Sequence, residues 1–418
     1  MRPRNPERHT MRHAMRNIVR TALFATAASF AAYGGVEGAS AGLQTVVRDS
    51  AGVTIVENEA PAADSRLGWR IGAEPALSIG AVEGDPAYEL FRVADATRLP
   101  DGRILVANTG SGELRAFDGS GTHLQSWGGE GEGPGEFSRG APSGVGAWPG
   151  DSISASDRGA RRFTVFDANG ELGRTSRLPD PYQSLAGVLP DGKLVVVSSS
   201  GFRFTGGEFP DGLSRREVEY AVVEPDGGVH ATLGTHPGSE WAASAEDMSV
   251  RPHPFGRNPI SAVWGDLVVL GTNDRYEFRA HATDGRLARI VRLEHEARRP
   301  TRADLDAHFA RRYENLSGPE RSAALADVAD MPLTDAFPAF TSIRVDELDH
   351  LWVEEYRRAG ETRRIWTVFD PAGRVLGRLE TPPGLRIFEI GPDYLLGATY
   401  DEFQIEYVQL WPLTRSNP

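Results

Sequence analysis

The sequence predicts an all-β protein assembled from a repeated four-stranded unit. Short apolar stretches alternate with Gly, Pro and Asp along most of the chain, which is typical of strands joined by tight turns. One strand-turn-strand pattern recurs six times, as in ATRLPDGRILVAN and AGVLPDGKLVVVS, and a second pattern such as FTVFDANGELG follows most copies. Repetition on this scale indicates one supersecondary unit used several times.

Turn residues mark where each unit reverses. Pro-Asp-Gly and Asp-x-x-Gly combine a fixed φ, a side chain that binds nearby backbone amides and a residue that tolerates positive φ, so each unit is predicted to be an antiparallel meander. The turn glycines recur at intervals of 49, 57, 58 and 88 residues, at Gly121, Gly170, Gly227, Gly285 and Gly373. Four strands in about 45 to 55 residues make one propeller blade. Six units fit residues 42–418, which predicts a six-bladed β-propeller of four-stranded antiparallel blades.

The longest interval contains a segment with a different periodicity. Between residues 301 and 330 the β pattern stops, and Leu305, Phe309 and Tyr313 recur every four residues, as on one face of a helix. The sequence therefore predicts a short helical insertion at 301–330, between the fourth and fifth blades. This insertion either covers the channel mouth as a lid or packs on the rim.

The N-terminal region divides into a targeting segment and spare strands. Six arginines in the first twenty residues precede an apolar run at 21–33 and the small residues ASA at 39–41, the arrangement of a secretory signal peptide. The run is shorter than the roughly 20 residues that span a bilayer, so we expect residues 1–41 to be removed and the mature chain to have no membrane span. Residues 42–80 carry strands that we expect to complete the last blade, whose final copy lacks its outer strand.

Composition excludes several classes of function. The chain has 58 acidic and 45 basic residues and a formal net charge of -13, which does not suit a protein that neutralises nucleic-acid phosphates. It has no cysteine, and so neither disulfides nor a lipid-modified cysteine after the signal peptide. We expect an acidic protein exported to the periplasm or outside the cell. Nothing in the sequence specifies an oligomeric state.

Several stretches resemble known propeller repeats. SWGGEGEGPGEF, followed by GDSISASDRGARRFTVFDANGEL, resembles an NHL repeat, and RPHPFGR, TSIRVDELDHLWVEEY and WTVFDPAGRVLG are similar to segments of exported bacterial six-bladed propeller proteins of mostly unassigned function. The resemblance covers residues 42–412 and implies the fold. Propellers serve as binding platforms, lyases, lactonases and scaffolds, so it does not select an activity.

The glycine-rich stretch at 127–137 raises the question of a nucleotide site. A phosphate-binding loop requires Gly-Lys followed by Ser or Thr, whereas Gly133 is followed by Pro134, and the three glutamates of the stretch repel phosphate. We interpret the stretch as the passage from the outer strand of one blade to the inner strand of the next. Phe137 is predicted to anchor it between blades.

Polar residues recur where the second strand of a blade ends. These positions, together with one neighbouring arginine, are Asn108, Asp157, Asp274, Arg275, Glu355 and Asp401. Such turns lie on one face of a propeller, around the channel mouth, where they can hold Ca²⁺ or a cationic or sugar-like ligand. Asp and Asn also cap turns by accepting hydrogen bonds from nearby amides, so a purely structural role remains open beside the binding role.

Two arginines belong to predicted innermost strands. Arg257 ends a stretch, RPHPFGR, that has no counterpart in the other blades, and Arg344 lies in SIRVD. Their guanidinium groups can clamp a carboxylate or phosphate near the axis. Alternatively, they pair with Asp95 or Glu389 on neighbouring inner strands.

Two functions are therefore predicted from the sequence. The first is an exported binding or interaction module for a protein, peptide or glycan, which requires no cofactor. The alternative is a metal-dependent enzyme of the lactonase or lyase type, in which a divalent ion on the axis polarises a carbonyl or activates water. Convergence of three or more Asp, Glu, Asn or His side chains on the axis would favour the enzyme.

Overall fold

The computed structural model describes residues 44–178, 180, 183–199 and 209–416. The predicted signal peptide, residues 1–41, lies outside the described residues. The described part of the chain is almost entirely β structure and forms six sheets. Four short strands precede the first complete sheet: β1 (Thr45–Ser50), β2 (Val53–Asn58), β3 (Arg70–Ile71) and β4 (Leu77–Ile79).

The first three sheets are built from strands that are consecutive in the chain. Sheet I contains β5 (Val93–Arg98), β6 (Ile104–Asn108), β7 (Glu113–Phe117) and β8 (His123–Gly128). Sheet II contains β9 (Gly144–Trp148), β10 (Ser152–Asp157), β11 (Arg162–Phe166) and β12 (Leu172–Arg177). Sheet III contains β13 (Gln183–Val188), β14 (Leu194–Ser199), β15 (Gly212–Val223), β16 (Val229–Ser244) and β17 (Ser249–Pro252).

The last three sheets follow the same antiparallel order, and two of them recruit strands from the N-terminal region. Sheet IV contains β18 (Pro259–Trp264), β19 (Leu267–Thr272), β20 (Glu277–Ala282) and β21 (Leu287–Leu293), with β2 and β1 added outside β21. Sheet V contains β22 (Phe340–Val345), β23 (Leu351–Glu355), β24 (Arg364–Phe369) and β25 (Val375–Thr381). Sheet VI contains β26 (Arg386–Ile390), β27 (Tyr394–Tyr400) and β28 (Glu406–Thr414), paired with β3 and β4.

Apolar clusters join each sheet to the next around a closed ring. Sheets I and II share a cluster around Phe137, sheets II and III one around Trp148, and sheets III and IV one around Tyr220. Sheets IV and V meet at Phe278, and further clusters join V to VI and VI back to I. Strand β26 of the last sheet lies beside β5 of the first. This is the architecture of a β-propeller, as the repeat predicted.

The glycine-rich stretch at 127–137 connects sheet I to sheet II, as predicted. Phe137 is fully buried between these sheets, and its backbone N–H donates to the carbonyl of Gly129 at 2.8 Å. Gly128 has a φ of 84°, and a Cβ added there would lie 2.5 Å from the Phe137 ring. A side chain at this position would therefore displace the anchor, which explains glycine at Gly128.

The strands before residue 80, which were expected to complete the last blade, lie in two different sheets. Strands β3 and β4 pair antiparallel with β28 and lie in sheet VI. Strand β2 instead runs parallel to β21 in sheet IV. The buried Asn58 side chain holds β2 there, because its Nδ2 donates to the carbonyls of Arg292 and Gly373 at 3.0 Å and its Oδ1 accepts from the N–H of Val375 at 3.0 Å. The segment therefore closes sheet VI and also extends sheet IV.

Two helices lie within the predicted insertion, α1 (Arg302–Arg312) and α2 (Gly318–Ala326). Helix α1 begins with a capping box, in which the Thr301 hydroxyl accepts from the N–H of Asp304 and the Asp304 carboxylate accepts from the N–H of Thr301. Its buried Leu305 and Phe309 pack on Phe255 and on Ala242 of β16. Among the described residues, no helix is long and apolar enough to cross a bilayer.

We predict that Ile79→Ala lowers the free energy of unfolding by about 2 to 4 kcal/mol, because Ile79 is 1% exposed in the cluster that joins sheets VI and I. Chemical denaturation of the mature chain measures this value. Val82→Ala is the control, since Val82 is exposed, and we expect it to change stability by less than about 0.5 kcal/mol. Equal effects of the two substitutions would show that β4 does not stabilise the closure.

Candidate functional site

A cleft of about 700 Å³ opens between sheets IV and V. Its walls include segments 294–298 and 337–339, the two linkers that connect the helical insertion to the sheets. The turn between β23 and β24 also lines the cleft, as do Ala60 and Ala63, which follow β2 in the chain. Three polar residues of the lining with low exposure, Tyr276, Glu355 and Arg378, are called the base of the cleft.

The base combines a fixed ion pair with polar atoms that have no partner. Oε1 of Glu355 accepts from Nε of Arg378 at 2.6 Å and from the Thr367 hydroxyl at 3.0 Å. Nη1 of Arg378 donates to the carbonyl of Ala62 at 3.1 Å, which fixes the guanidinium plane. Oε2 of Glu355 and Nη2 of Arg378 form no hydrogen bond within the described ranges. The base therefore offers a ligand one carboxylate acceptor and one guanidinium donor.

Tyr276 adds a hydroxyl to the base. The side chain is buried, and its hydroxyl meets the geometry of a hydrogen bond with none of the described residues. Burial raises the pKa of Tyr276 above its ordinary value, so the hydroxyl keeps its proton and remains able to donate. The hydroxyl is itself closed to solvent beside Thr367, so a ligand in the cleft does not reach it in this conformation.

Phe337 and Tyr356 form an aromatic wall that the cleft shares with the helical insertion. Their ring centroids lie 5.5 Å apart, and both rings also pack in the apolar cluster that contains Phe309 of α1. Burial raises the pKa of Tyr356 to about 12. The N–H of Phe337 donates to the carbonyl of Arg298 at 2.8 Å, which joins the two linkers. The cleft wall and the core of the insertion are therefore continuous.

The rim of the cleft carries charges of both signs. Glu294, Glu296 and Arg298 are exposed and form no ion pair with any residue that the structure describes. On the opposite side, Arg358 pairs with Glu361 at 3.4 Å. Because both members of that pair are solvent-exposed, water screens the interaction and it contributes little to stability.

Two of the predicted site residues, Asn108 and Asp157, have structural roles. Asn108 is buried, and its Oδ1 accepts from the N–H of Phe91 at 2.8 Å. Asp157 accepts from the N–H of Ser138 at 2.8 Å and pairs with Arg162 at 3.3 Å. Burial raises the pKa of Asp157, but these bonds outweigh burial and hold it below its ordinary value. Both side chains therefore fix the loop that enters their sheet.

Asp274, Arg275 and Asp401 are also separate from the cleft. Asp274 accepts from the hydroxyl of Thr272, while the role that Asn108 has in sheet I belongs in sheet IV to Asn273. Arg275 is exposed. Oδ1 of Asp401 accepts two backbone N–H groups of its own turn, at 2.9 Å each. Of the five predicted turn positions and the neighbouring Arg275, the structure places one, Glu355, in the cleft.

Arg257 and Arg344 have different partners from those predicted. Arg257 lies 3.6 Å from Glu240 and 3.2 Å from Asp335, so the predicted pairing of this arginine with Asp95 or Glu389 is wrong. Asp335 lies between α2 and β22, and the sequence pattern did not indicate that this segment reaches Arg257. Arg344 donates from Nε to the carbonyl of Ile387 at 3.4 Å, and without a direct ion pair its charge partly offsets the rise that burial causes in the pKa of Asp95.

Two carboxyl groups lie on the innermost strands. Burial raises the pKa of Asp95 to about 6, although hydrogen bonds from the N–H groups of Val145 and Ala96 oppose the rise. Burial also raises the pKa of Glu389, whose Oε1 accepts from the Tyr394 hydroxyl at 2.6 Å. In the residues that the structure describes, no group of three or more His, Asp or Glu side chains is arranged to hold a metal ion.

Sequence reasoning missed most of the cleft. Tyr276 and Arg378 come from different sheets, and Arg298 lies in a linker, so no spacing in the chain relates them. One signal was available: EHEARR at 294–299 is densely charged where an apolar strand ends and the insertion begins. The repeat pattern of the blades does not account for charged side chains at this position, so they indicated a role outside the strands.

No protein-family model matches the chain, and no curated protein matches it. Solved structures are similar in fold at low identity. A putative exported protein from Bacteroides fragilis is 15% identical, with a TM-score of 0.47, over 87% of this chain and 100% of the other. A streptogramin B lyase is 10% identical, with a TM-score of 0.35, over 83% and 97%. The calcium-binding protein regucalcin from Agrobacterium tumefaciens is 13% identical, with a TM-score of 0.37, over 79% and 94%. Because these scores are below 0.5, the fold assignment rests on the sheets of the chain itself.

We predict that Asp95 makes the protein less stable as the pH rises from about 4 to 7. The unfolded chain ionises this carboxyl near its ordinary pKa of 3.8, whereas the folded state holds the proton up to about 6, so ionisation costs folded-state stability in this window. The free energy of unfolding of the wild type should fall over this pH range by up to about 3 kcal/mol more than that of Asp95→Asn.

Denaturant titrations at pH 4.5 and 7.5 measure the effect of this substitution. Asp266→Asn serves as the control, because Asp266 is exposed, and it should retain the pH dependence of the wild type. If Asp95→Asn also retains that dependence, the carboxyl of Asp95 is not buried as described.

Proposed function

We propose that the chain is an exported, NHL-like, six-bladed β-propeller that acts as a binding module and holds its ligand in the cleft between sheets IV and V. Each of the six sheets corresponds to one blade in this proposal. The signal-like residues 1–41 support export to the periplasm or outside the cell. The ligand classes to consider are a protein, a peptide and a glycan, and the proposal requires no cofactor.

The base of the cleft is the observation that carries this proposal. Oε2 of Glu355 and Nη2 of Arg378 lack partners within the described residues, while the rest of the Glu355–Arg378 pair is fixed by hydrogen bonds. Fixed side chains lose little conformational entropy when a ligand binds, so their interactions contribute more fully to affinity. The volume of about 700 Å³ also lies within the range of about 300–1,000 Å³ that is usual for ligand sites.

The other predicted positions support a binding module whose face is rigid. Asn108 and Asp157 accept backbone N–H groups of incoming loops, so their oxygens are already used. Any Ca²⁺ bound at these turns would have to displace those hydrogen bonds. The cleft between sheets IV and V instead has polar groups that are available to a ligand without such a loss.

We predict that a fluorophore at position 362 reports ligand binding. The natural chain has no cysteine, so Thr362→Cys introduces a single thiol at the cleft, and an environment-sensitive dye on it should change its emission on addition of a ligand mixture. Tryptone peptides and a mixture of maltodextrins are the two probes. The same dye on Ser120→Cys, in an exposed turn of sheet I, should not respond.

A second substitution tests whether the response comes from the base. Arg378→Gln removes the guanidinium donor. It should raise the half-saturating ligand concentration by about tenfold, in line with the loss of one charged hydrogen bond. Arg374→Gln is the matched control, because Arg374 is an exposed arginine of the same sheet and lies outside the cleft lining. Equal binding by the two variants, or a response at position 120, would contradict a ligand site in this cleft.

A further inference from the structure

We infer that the ligand of the cleft is an extended peptide segment that carries charges of both signs. This inference rests on the proposed function and specifies the ligand class for the same site. Three features of the cleft lead to it: the free atoms at the base, the unpaired charges on the rim and the aromatic wall.

The base matches the repeating polar groups of a peptide backbone. A peptide unit presents one N–H donor and one C=O acceptor. Glu355 offers Oε2 as an acceptor and Arg378 offers Nη2 as a donor, and the 2.6 Å bond between their other atoms keeps the two groups adjacent.

The rim distinguishes a peptide from a neutral glycan. Glu294 and Glu296 precede Arg298 on one linker, and no ion pair in the described part of the chain neutralises them. Opposite charges on a ligand would find partners there, and complementary charges favour specificity and rapid association. A peptide supplies both signs through its side chains or its termini. A neutral oligosaccharide supplies neither sign and would leave all three charges unused.

The aromatic wall accommodates an apolar side chain of the peptide. Phe337, Tyr356 and Ile365 line the cleft. Phe337 and Tyr356 already pack against one another and against the core of the insertion, so they form a firm surface. A side chain that rests there would bury apolar area at about 25 cal/mol per Å². One cleft thus offers partners for the backbone, the charges and an apolar side chain of a peptide.

The test uses the full mature chain, labelled at Thr362→Cys, with two defined sets of probes. One set is a library of free hexapeptides, and the other contains maltohexaose, cellohexaose and chitohexaose. We expect the peptides to bind, and the affinity to fall as NaCl is raised from 0.05 to 0.5 M, because salt screens exposed charges. Glu296→Gln and Arg298→Gln should each weaken peptide binding by about three- to tenfold.

The matched control is Arg299→Gln, an exposed arginine beside Arg298 that lies outside the cleft lining, and it should bind peptides as the unsubstituted labelled chain does. Binding of the oligosaccharides without the peptides would overturn the peptide proposal and leave the cleft as a binding site. Peptide binding that Arg298→Gln and Arg299→Gln change equally would also overturn it. If neither probe set binds, both the peptide proposal and the proposed function fail.

Discussion

The closure of the ring is the constraint on which the rest of the structure depends. Leu77–Ile79 pairs with β28 near the other end of the described chain, in the register Leu77 with Leu410. This pairing brings Ile79 into the cluster that joins the last sheet to the first. Residues of β5, β27 and β28 also belong to that cluster, so strands from both ends of the described chain form the junction. This junction gives the first and last sheets a second neighbour, as the other four sheets have.

Closure also fixes the loops on the face that contains the cleft. Buried side chains at the junctions accept the backbone N–H of the chain that enters the next strand: Asn108 for Phe91, Asp157 for Ser138, Asn273 for Asn258 and Glu406 for Val93. The polar residues that resemble a ligand ring therefore stabilise the scaffold. The cleft forms at a different kind of place, where the chain leaves the repeat to build the helical insertion and returns to it.

The repeat allowed much of the fold to be predicted from the sequence. Its turn residues and strand patterns are local, so the strands, the buried Phe137 and the position of the helices could be located without knowledge of the tertiary structure. The division of residues 42–80 could not, because β2 and β4 are both short apolar strands. Asn58 decides the position of β2 through bonds to residues more than 230 positions away.

The candidate site was less accessible to sequence reasoning, for a related reason. Turn carboxylates recur in a repeat and attract attention, yet recurrence is also what a structural cap produces. Glu355 was identified among them because it ends a strand, and only its surroundings distinguish it. Its neighbours Tyr276 and Arg378 become neighbours through the packing of sheet V on sheet IV.

The continuity between the cleft wall and the helical insertion has a consequence for how such a protein can diversify. The linkers at 294–298 and 337–339 contact the cleft, but the strands that close the ring lie elsewhere in the chain. Substitutions or changes of length in the insertion would thus reshape the rim while the junction between sheets VI and I stays intact. The rim of the cleft and the strands that close the ring are encoded in separate stretches of the sequence, so the rim can be varied by selection or by design while the closure is retained.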